Sequence, residues 1–345
     1  MKKLRIQLVL LLMIAFVIAS AFATDDSQET IKIVIPSNFP EPVYDLEKNK
    51  ITKKGVELGR QLFYDGILSV DGSTSCGSCH QQVAGFIQQD HDFSHGVDNR
   101  IGRRNALPLA NLIFSKSFFW DGGVFDLDLT PVNAIENEVE MGEELDHVLK
   151  KLNASALYKN RFKDAYGTDS ISTNLFLKSL SQFLATMVSA NSRYDKYVRK
   201  EGVKLEADEL EGLKVFTDKC STCHATDLFT DGSFRNNGST ADFRFDKGRQ
   251  EITLADSDIG KFKVPSLRNV AFTGPYMHDG SIQSLEEVLE HYNSGMKHSA
   301  TLDPIFTRRA KPGISLDLEE KRKLLAFLKT LTDQDFLSNK NFSEF

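Results

Sequence analysis

Two copies of Cys-x-x-Cys-His, Cys76-Gly77-Ser78-Cys79-His80 and Cys220-Ser221-Thr222-Cys223-His224, hold every cysteine of this 345-residue chain. Four cysteines in an exported protein would first suggest two disulfides, but a disulfide has no use for a histidine at the next position. On a helical turn, positions i, i+3 and i+4 share a face. Two thiols so spaced can form thioethers with the two vinyl groups of one haem, while the adjacent imidazole meets the iron from the proximal side. Zinc held by four thiolates is the competing reading, and the long separation of the pairs argues against it. The spacing therefore predicts two covalent haem c groups, with His80 and His224 as proximal ligands.

The amino terminus fits an oxidising compartment. Lys2, Lys3 and Arg5 precede an apolar run from Leu8 to Ala19, and Ala21-Phe22-Ala23 satisfies the small-x-small cleavage rule. The run is short for a membrane span, which needs about 20 residues. These features predict a signal peptide over 1–23, cleavage after Ala23, and a periplasmic protein with no membrane span thereafter. A formal net charge of −6, from 42 basic and 48 acidic residues, leaves no footprint for nucleic acid.

Residues 24–45, with Pro36, Pro40 and Pro42, read as an extended arm. Beyond it the apolar spacing is helical, as in Asn174–Arg199 and Asp317–Leu331, and alternating strands are few. The two halves repeat one order. Gly59-Arg60-Gln61-Leu62-Phe63 precedes the first Cys pair, Gly212-Leu213-Lys214-Val215-Phe216 precedes the second, and each half closes on an amphipathic helix. Such a repeat, 144 residues apart, predicts an all-α chain of two cytochrome c-like domains in tandem. The expected domains are residues 46–200 and 201–345, with the boundary in the charged stretch Arg199–Glu211. Twelve residues (Tyr64–Ser75) separate Phe63 from the first Cys and three separate Phe216 from the second, so the first copy carries an elaborated loop.

The ordered motifs CGSCH, RRNALPLAN, FFWDGG, NEVEMG, ANSRYD, CSTCH and FKVPSLRNVAFTGPYMHDG resemble the bacterial dihaem cytochrome c peroxidases and their MauG-type relatives, which oxidise tryptophans in a partner protein. The resemblance covers nearly the whole mature chain. It implies that the haem on His80 reacts with peroxide and the haem on His224 receives electrons. Trp120, the only tryptophan, matches the residue between the two haems, where an oxidisable ring shortens the tunnelling steps. Glu140 matches the distal-pocket glutamate, since heterolytic O–O cleavage needs a proton moved from one oxygen to the other. Where the family often has Gln and Pro near this acid, this chain has Thr130, Ala134 and Glu138.

His95 approximates the histidine that caps the peroxidatic haem in resting relatives, across a loop of different length; His91 is the alternate. On the other haem, the peroxidase branch places a methionine fourteen residues after the histidine of PYxHDG. Counting from His278 gives Tyr292, the residue type of the MauG branch; Met296 is the alternative four residues on. A tyrosine oxygen favours ferric iron. The resemblance also implies a calcium ion near Asn105, Thr273 and Pro275, through oxygens suited to a hard cation.

The expected function is reduction of hydrogen peroxide with electrons from a small periplasmic cytochrome c or cupredoxin. A MauG-like oxidation of a partner protein's side chains and a non-catalytic dihaem electron carrier are the rivals. The resemblance leaves a homodimer open.

Overall fold

The computed structural model describes residues 29–344; the expected signal segment and its cleavage site lie outside the described residues. The elements in order are α1 (Lys53–Tyr64), α2 (Cys76–Cys79), α3 (Thr130–Glu136), α4 (Leu145–Ala154), α5 (Ala156–Tyr166), α6 (Thr173–Thr186), α7 (Arg193–Val198), α8 (Ala207–Lys219), β1 (Phe234–Arg235), α9 (Gln250–Thr253), β2 (Phe262–Lys263), α10 (Leu285–Glu290), α11 (Leu318–Lys329) and α12 (Gln334–Leu337). The two strands pair antiparallel, Phe234 opposite Lys263. Among the described residues no helix is long and apolar enough to cross a membrane.

The repeated motif becomes repeated packing. In the first half α1 lies on α6, and in the second α8 lies on α11. Each contact is made close by a glycine: a Cβ on Gly59 would stand 2.0 Å from the Ser179 carbonyl oxygen, and one on Gly212 would stand 2.0 Å from that of Lys323. One turn later, Phe63 meets Phe183 with ring centroids 5.3 Å apart, and Phe216 meets Phe327 at 5.2 Å. The Gly-x-x-apolar-Phe signature is thus a helix-crossing device, with glycine setting the distance and phenylalanine filling the core. Gly212→Ala must push α8 off α11. The expected loss is about 1–3 kcal/mol, the usual range for overpacking, read as a lower denaturation midpoint.

The apolar clusters do not divide at residue 200. One runs from Phe39 to Met187 and takes back Leu228, Phe336, Leu337 and Phe342 from the second half; a second runs from Tyr194 to Leu331, and a small third joins Met296, Leu302 and Phe306. The chain changes core at Met187–Ser192, inside the stretch whose apolar spacing reads as one helix. There the backbone leaves the helix because polar side chains offer it other partners. Asn111 donates to the Ser189 carbonyl and accepts from the Ser189 N–H, both at 3.0 Å, while Asp333 accepts from Ser189 Oγ and the Asn191 N–H. Ser192 then caps α7.

The seam between the clusters is held by a buried ion pair. Arg268 donates to both oxygens of Asp195, at 2.7 and 2.8 Å, and its guanidinium lies 4.4 Å over the ring of Phe39 in the N-terminal arm. Burial pushes the Asp195 carboxyl up, but Arg268 and Ser192 outweigh it and hold the group below the usual carboxylate range. Asp195→Ala leaves the guanidinium buried and unpaired, a loss of about 3–5 kcal/mol that thermal unfolding would show.

Candidate haem sites

Both Cys-x-x-Cys-His segments wind into one turn. The N–H of His80 donates to the Cys76 carbonyl at 2.9 Å, and that of His224 donates to the Cys220 carbonyl at 3.0 Å. None of the four cysteines is in a disulfide. Burial pushes Cys76 and Cys220 up to about 12 and Cys79 to about 11, so they are neutral thiols rather than waiting thiolates. The four-thiolate zinc reading does not form: among the described residues, no group of three or more His, Cys, Asp or Glu side chains could hold a metal ion.

The histidine of each turn is oriented the same way. His80 Nδ1 bonds the Phe86 carbonyl at 2.7 Å, and His224 Nδ1 bonds the Phe229 carbonyl at 3.0 Å. Phe86 and Phe229 both have positive φ, 66° and 55°, which turns their carbonyls back toward the imidazoles. Nδ1 then carries the proton and Nε2 presents its lone pair, the arrangement a ligating histidine requires. Burial lowers both imidazole pKa values and keeps the rings neutral. Paired thiols on one turn and a pinned neutral imidazole fit haem c at both sites.

Around the first turn the fold gathers three groups. Cys79 Sγ lies 3.5 Å from the His95 carbonyl. The loop after His95 packs on Glu140, with the Val97 N–H donating to the Glu140 carbonyl at 2.8 Å. Glu140 is near enough for its charge to raise both Cys76 and Cys79. Its neighbours are sorted by environment: Glu136, Glu138 and Glu144 are exposed, and Glu143 is paired with Lys151 at 2.7 Å. Glu140 accepts from Asn137 Nδ2 at 2.9 Å. Burial pushes its carboxyl up to about 7 against that hydrogen bond, which lowers it. His95 Nδ1 contacts Asn99 Oδ1 at 3.0 Å, and the exposed His91 ring lies 4.5 Å from the His95 ring.

Around the second turn lies a largely apolar cavity. Cys220, Cys223 and His224 share its wall with Leu267, Val270, Leu285, Leu289, Phe306 and Leu324, and also with Ile87, Asn105 and Trp120 from the first half. Ile87 is next to Phe86, whose carbonyl holds His80, so little protein separates the two turns. Trp120 is buried, donating from Nε1 to the Asn105 carbonyl at 2.9 Å. Tyr292 is on the cavity wall, in the single π-helical turn His291–Gly295 that follows α10; such turns often mark functional sites. Met296 is not on that wall, and packs with Leu302 and Phe306 instead. Burial pushes the Tyr292 phenol up to about 12.

The implied calcium residues meet at the same wall. Asn105, Thr273 and Pro275 all line the cavity, and the Asn105 side-chain amide lies 3.3 Å from the Pro275 carbonyl. His278 stacks on Phe262 with centroids 3.7 Å apart and acts as wall. Three residues here escape sequence reasoning. Asn137 holds Glu140. Asn237 donates to both Met277 Sδ (3.2 Å) and the Tyr292 hydroxyl (3.4 Å). Met277 thereby brings a thioether sulfur to the wall beside the sulfurs of Cys220 and Cys223; its partner is forty residues away in a loop without a pattern.

The comparisons with known proteins agree on one group. The family described as "Di-haem cytochrome c peroxidase" matches residues 53–202, starting at the first residue of α1. The methylamine utilization protein MauG of Methylorubrum extorquens is 32% identical over 90% of this chain and 88% of its own. This chain belongs to the dihaem cytochrome c peroxidase and MauG family. Cytochrome c551 peroxidase of Nitrosomonas europaea is 30% identical over 92% of this chain and 87% of its own. A solved MauG-like protein associated with microbial copper homeostasis superimposes with a TM-score of 0.83, at 30% identity, over 91% of this chain and 99% of its own. The dihaem peroxidase BthA from Burkholderia thailandensis shares the fold at 21% identity and a TM-score of 0.72. Family membership implies two haem groups, and the residues of both turns fit them.

Proposed function

We propose that this protein is a periplasmic dihaem peroxidase, reducing hydrogen peroxide to two waters with two protons and two electrons from a small cytochrome c or cupredoxin. The haems supply the redox-active irons. The chain's own residues do the rest. His80 and His224 hold the metals from the proximal side. Glu140 takes a proton from one peroxide oxygen and returns it to the departing one. Trp120 would carry the electron path between the two sites, Tyr292 would help hold the group bound at Cys220 and Cys223, and His95 would close or open the peroxide side. Asn105, Thr273 and Pro275 supply oxygens to a calcium ion.

The observation that carries this reading is Glu140: a half-buried acid without a cation partner among the described residues, beside the first Cys-x-x-Cys-His turn, with a pKa near neutrality. The test is steady-state oxidation of a reduced small cytochrome or copper protein by hydrogen peroxide, with Trp120→Phe alongside. Turnover that slows in the variant, while both haem spectra persist, is the expected result. No turnover in any oxidation state would leave the electron-carrier reading standing instead.

A MauG-like oxidation of a partner protein is the second reading, and Tyr292 favours it. A tyrosine on the cavity wall, with Met296 off that wall in the small cluster that Tyr292 packs against, is the ligand type that stabilises oxidised iron. Peroxide-dependent oxidation of a partner's side chains, without consumption of a reduced cytochrome, would distinguish this activity from the first.

A further inference from the structure

Three cations line the cavity around His224, namely Lys219, Arg235 and Lys263, and no aspartate or glutamate lines it. Two of the three are neutralised by the chain itself. Lys219 pairs with Glu320 at 2.6 Å; Arg235 pairs with Asp231 at 3.1 Å and Asp303 at 2.9 Å. Lys263 has no such partner among the described residues. Its Nζ donates to the Ser117 carbonyl and lies 5.9 Å from the Phe118 ring. Burial alone pushes its pKa down to about 8.

An ammonium carries three donors, and the chain satisfies one of Lys263's with a neutral carbonyl. Keeping a half-buried charge without a counter-charge is costly. The cost is relieved if the partner arrives with whatever fills the cavity. Haem brings such a partner, because its two propionate carboxylates leave the ring on the edge away from the vinyl groups that the cysteines take. The ammonium is also held in place. Lys263 is in β2, paired with Phe234 of β1, and its N–H donates to the Trp120 carbonyl at 2.7 Å.

We propose that Lys263 is the counter-ion of a propionate on the haem attached at Cys220 and Cys223, and that its charge sets that haem's reduction potential. This rests on the reading that a haem is attached there. A fixed positive charge in a low-dielectric wall favours the iron state with one positive charge fewer. Removing it stabilises the oxidised state.

The test uses the mature haem-loaded protein with Lys263→Met, Lys263→Gln and Lys263→Arg. Both neutral variants should keep two haem equivalents, because the thioethers do not depend on Lys263. The potential of the haem on His224 should fall by about tenfold in its reduction equilibrium, 59 mV for a one-electron couple. The other haem should stay put, and Lys263→Arg should restore the original value. The propionate bending bands in the resonance Raman spectrum should shift in the neutral variants, which a loss of packing alone would not cause. Neutral variants with two haems, an unmoved potential and unmoved bands overturn the proposal, as does an equal shift of both haems. An unmodified protein lacking haem at His224 overturns the underlying reading instead, and haem equivalents per chain tell the two failures apart.

Discussion

Glu140→Gln lowers peroxide turnover by about two to four orders of magnitude, the span a positioned acid–base group contributes, and leaves both haem spectra nearly intact. The amide keeps the shape and still bonds the Asn137 side chain, but it cannot take up a proton. The pH profile provides the sharper check. Burial raises this carboxyl from its ordinary 4.5 to about 7, so the proton-accepting form is lost as pH falls through about 7. Turnover per peroxide should therefore decline on the acid side of neutrality in the unmodified protein, and the inflection should vanish in Glu140→Gln. Stability moves oppositely. The folded pKa lies above the unfolded one, so ionisation is disfavoured in the fold, and this group costs stability as pH rises from about 4.5 through 7. Glu140→Gln should then be no less stable than the parent at alkaline pH. Turnover and pH profile both unaltered by the substitution would take Glu140 out of the chemistry.

The two Cys-x-x-Cys-His turns were legible because their geometry is local. Cys76, Cys79 and His80 need only one turn of backbone to meet one haem, so spacing alone carries the inference. The duplication was legible for a related reason: Gly59 and Gly212 are each required by a helix crossing, and a required glycine leaves a mark. What the spacing could not show is where the halves join. Asn174–Arg199 has uninterrupted helical periodicity, yet the helix stops at Thr186. The competing hydrogen bonds come from Asn111 and Asp333, remote in sequence and unmarked by any period. The return of Phe336, Leu337 and Phe342 to the first core was hidden likewise, since apolar residues do not state which core they fill. Among the acids, density alone left Glu136 to Glu144 equivalent. Burial and pairing separate them, and both depend on the fold. Lys263 shows the same limit: a lysine in FKVPSLRN looks solvated until the wall around it is known.

Tyr292→Phe should raise the reduction potential of the haem on His224 by roughly 120 mV, a hundredfold in the reduction equilibrium, and alter only that haem's ligand-field spectrum. The reasoning starts from what burial does to the phenol. Off the metal it is pushed up to about 12, so its anion exists in this cavity only where a positive charge compensates it. Ferric iron compensates better than ferrous, and an oxygen anion therefore holds the oxidised state. Asn237, donating to the same hydroxyl at 3.4 Å, eases the deprotonation. Asn237→Leu should shift the potential in the same direction by less. Removing the oxygen leaves Met277 Sδ as a donor on the cavity wall. If that sulfur took the vacated position, thioether ligation would raise the potential further and would appear as a new low-spin spectrum. Peroxide reduction and partner oxidation respond differently to this change. A higher potential at the haem on His224 weakens the hold on highly oxidised states, which a MauG-like reaction needs. It also makes acceptance of electrons from a cytochrome more favourable. Tyr292→Phe therefore lowers partner oxidation and leaves or raises peroxidase turnover, and a variant whose two haem spectra and potentials match the parent's would show that Tyr292 does not touch the iron.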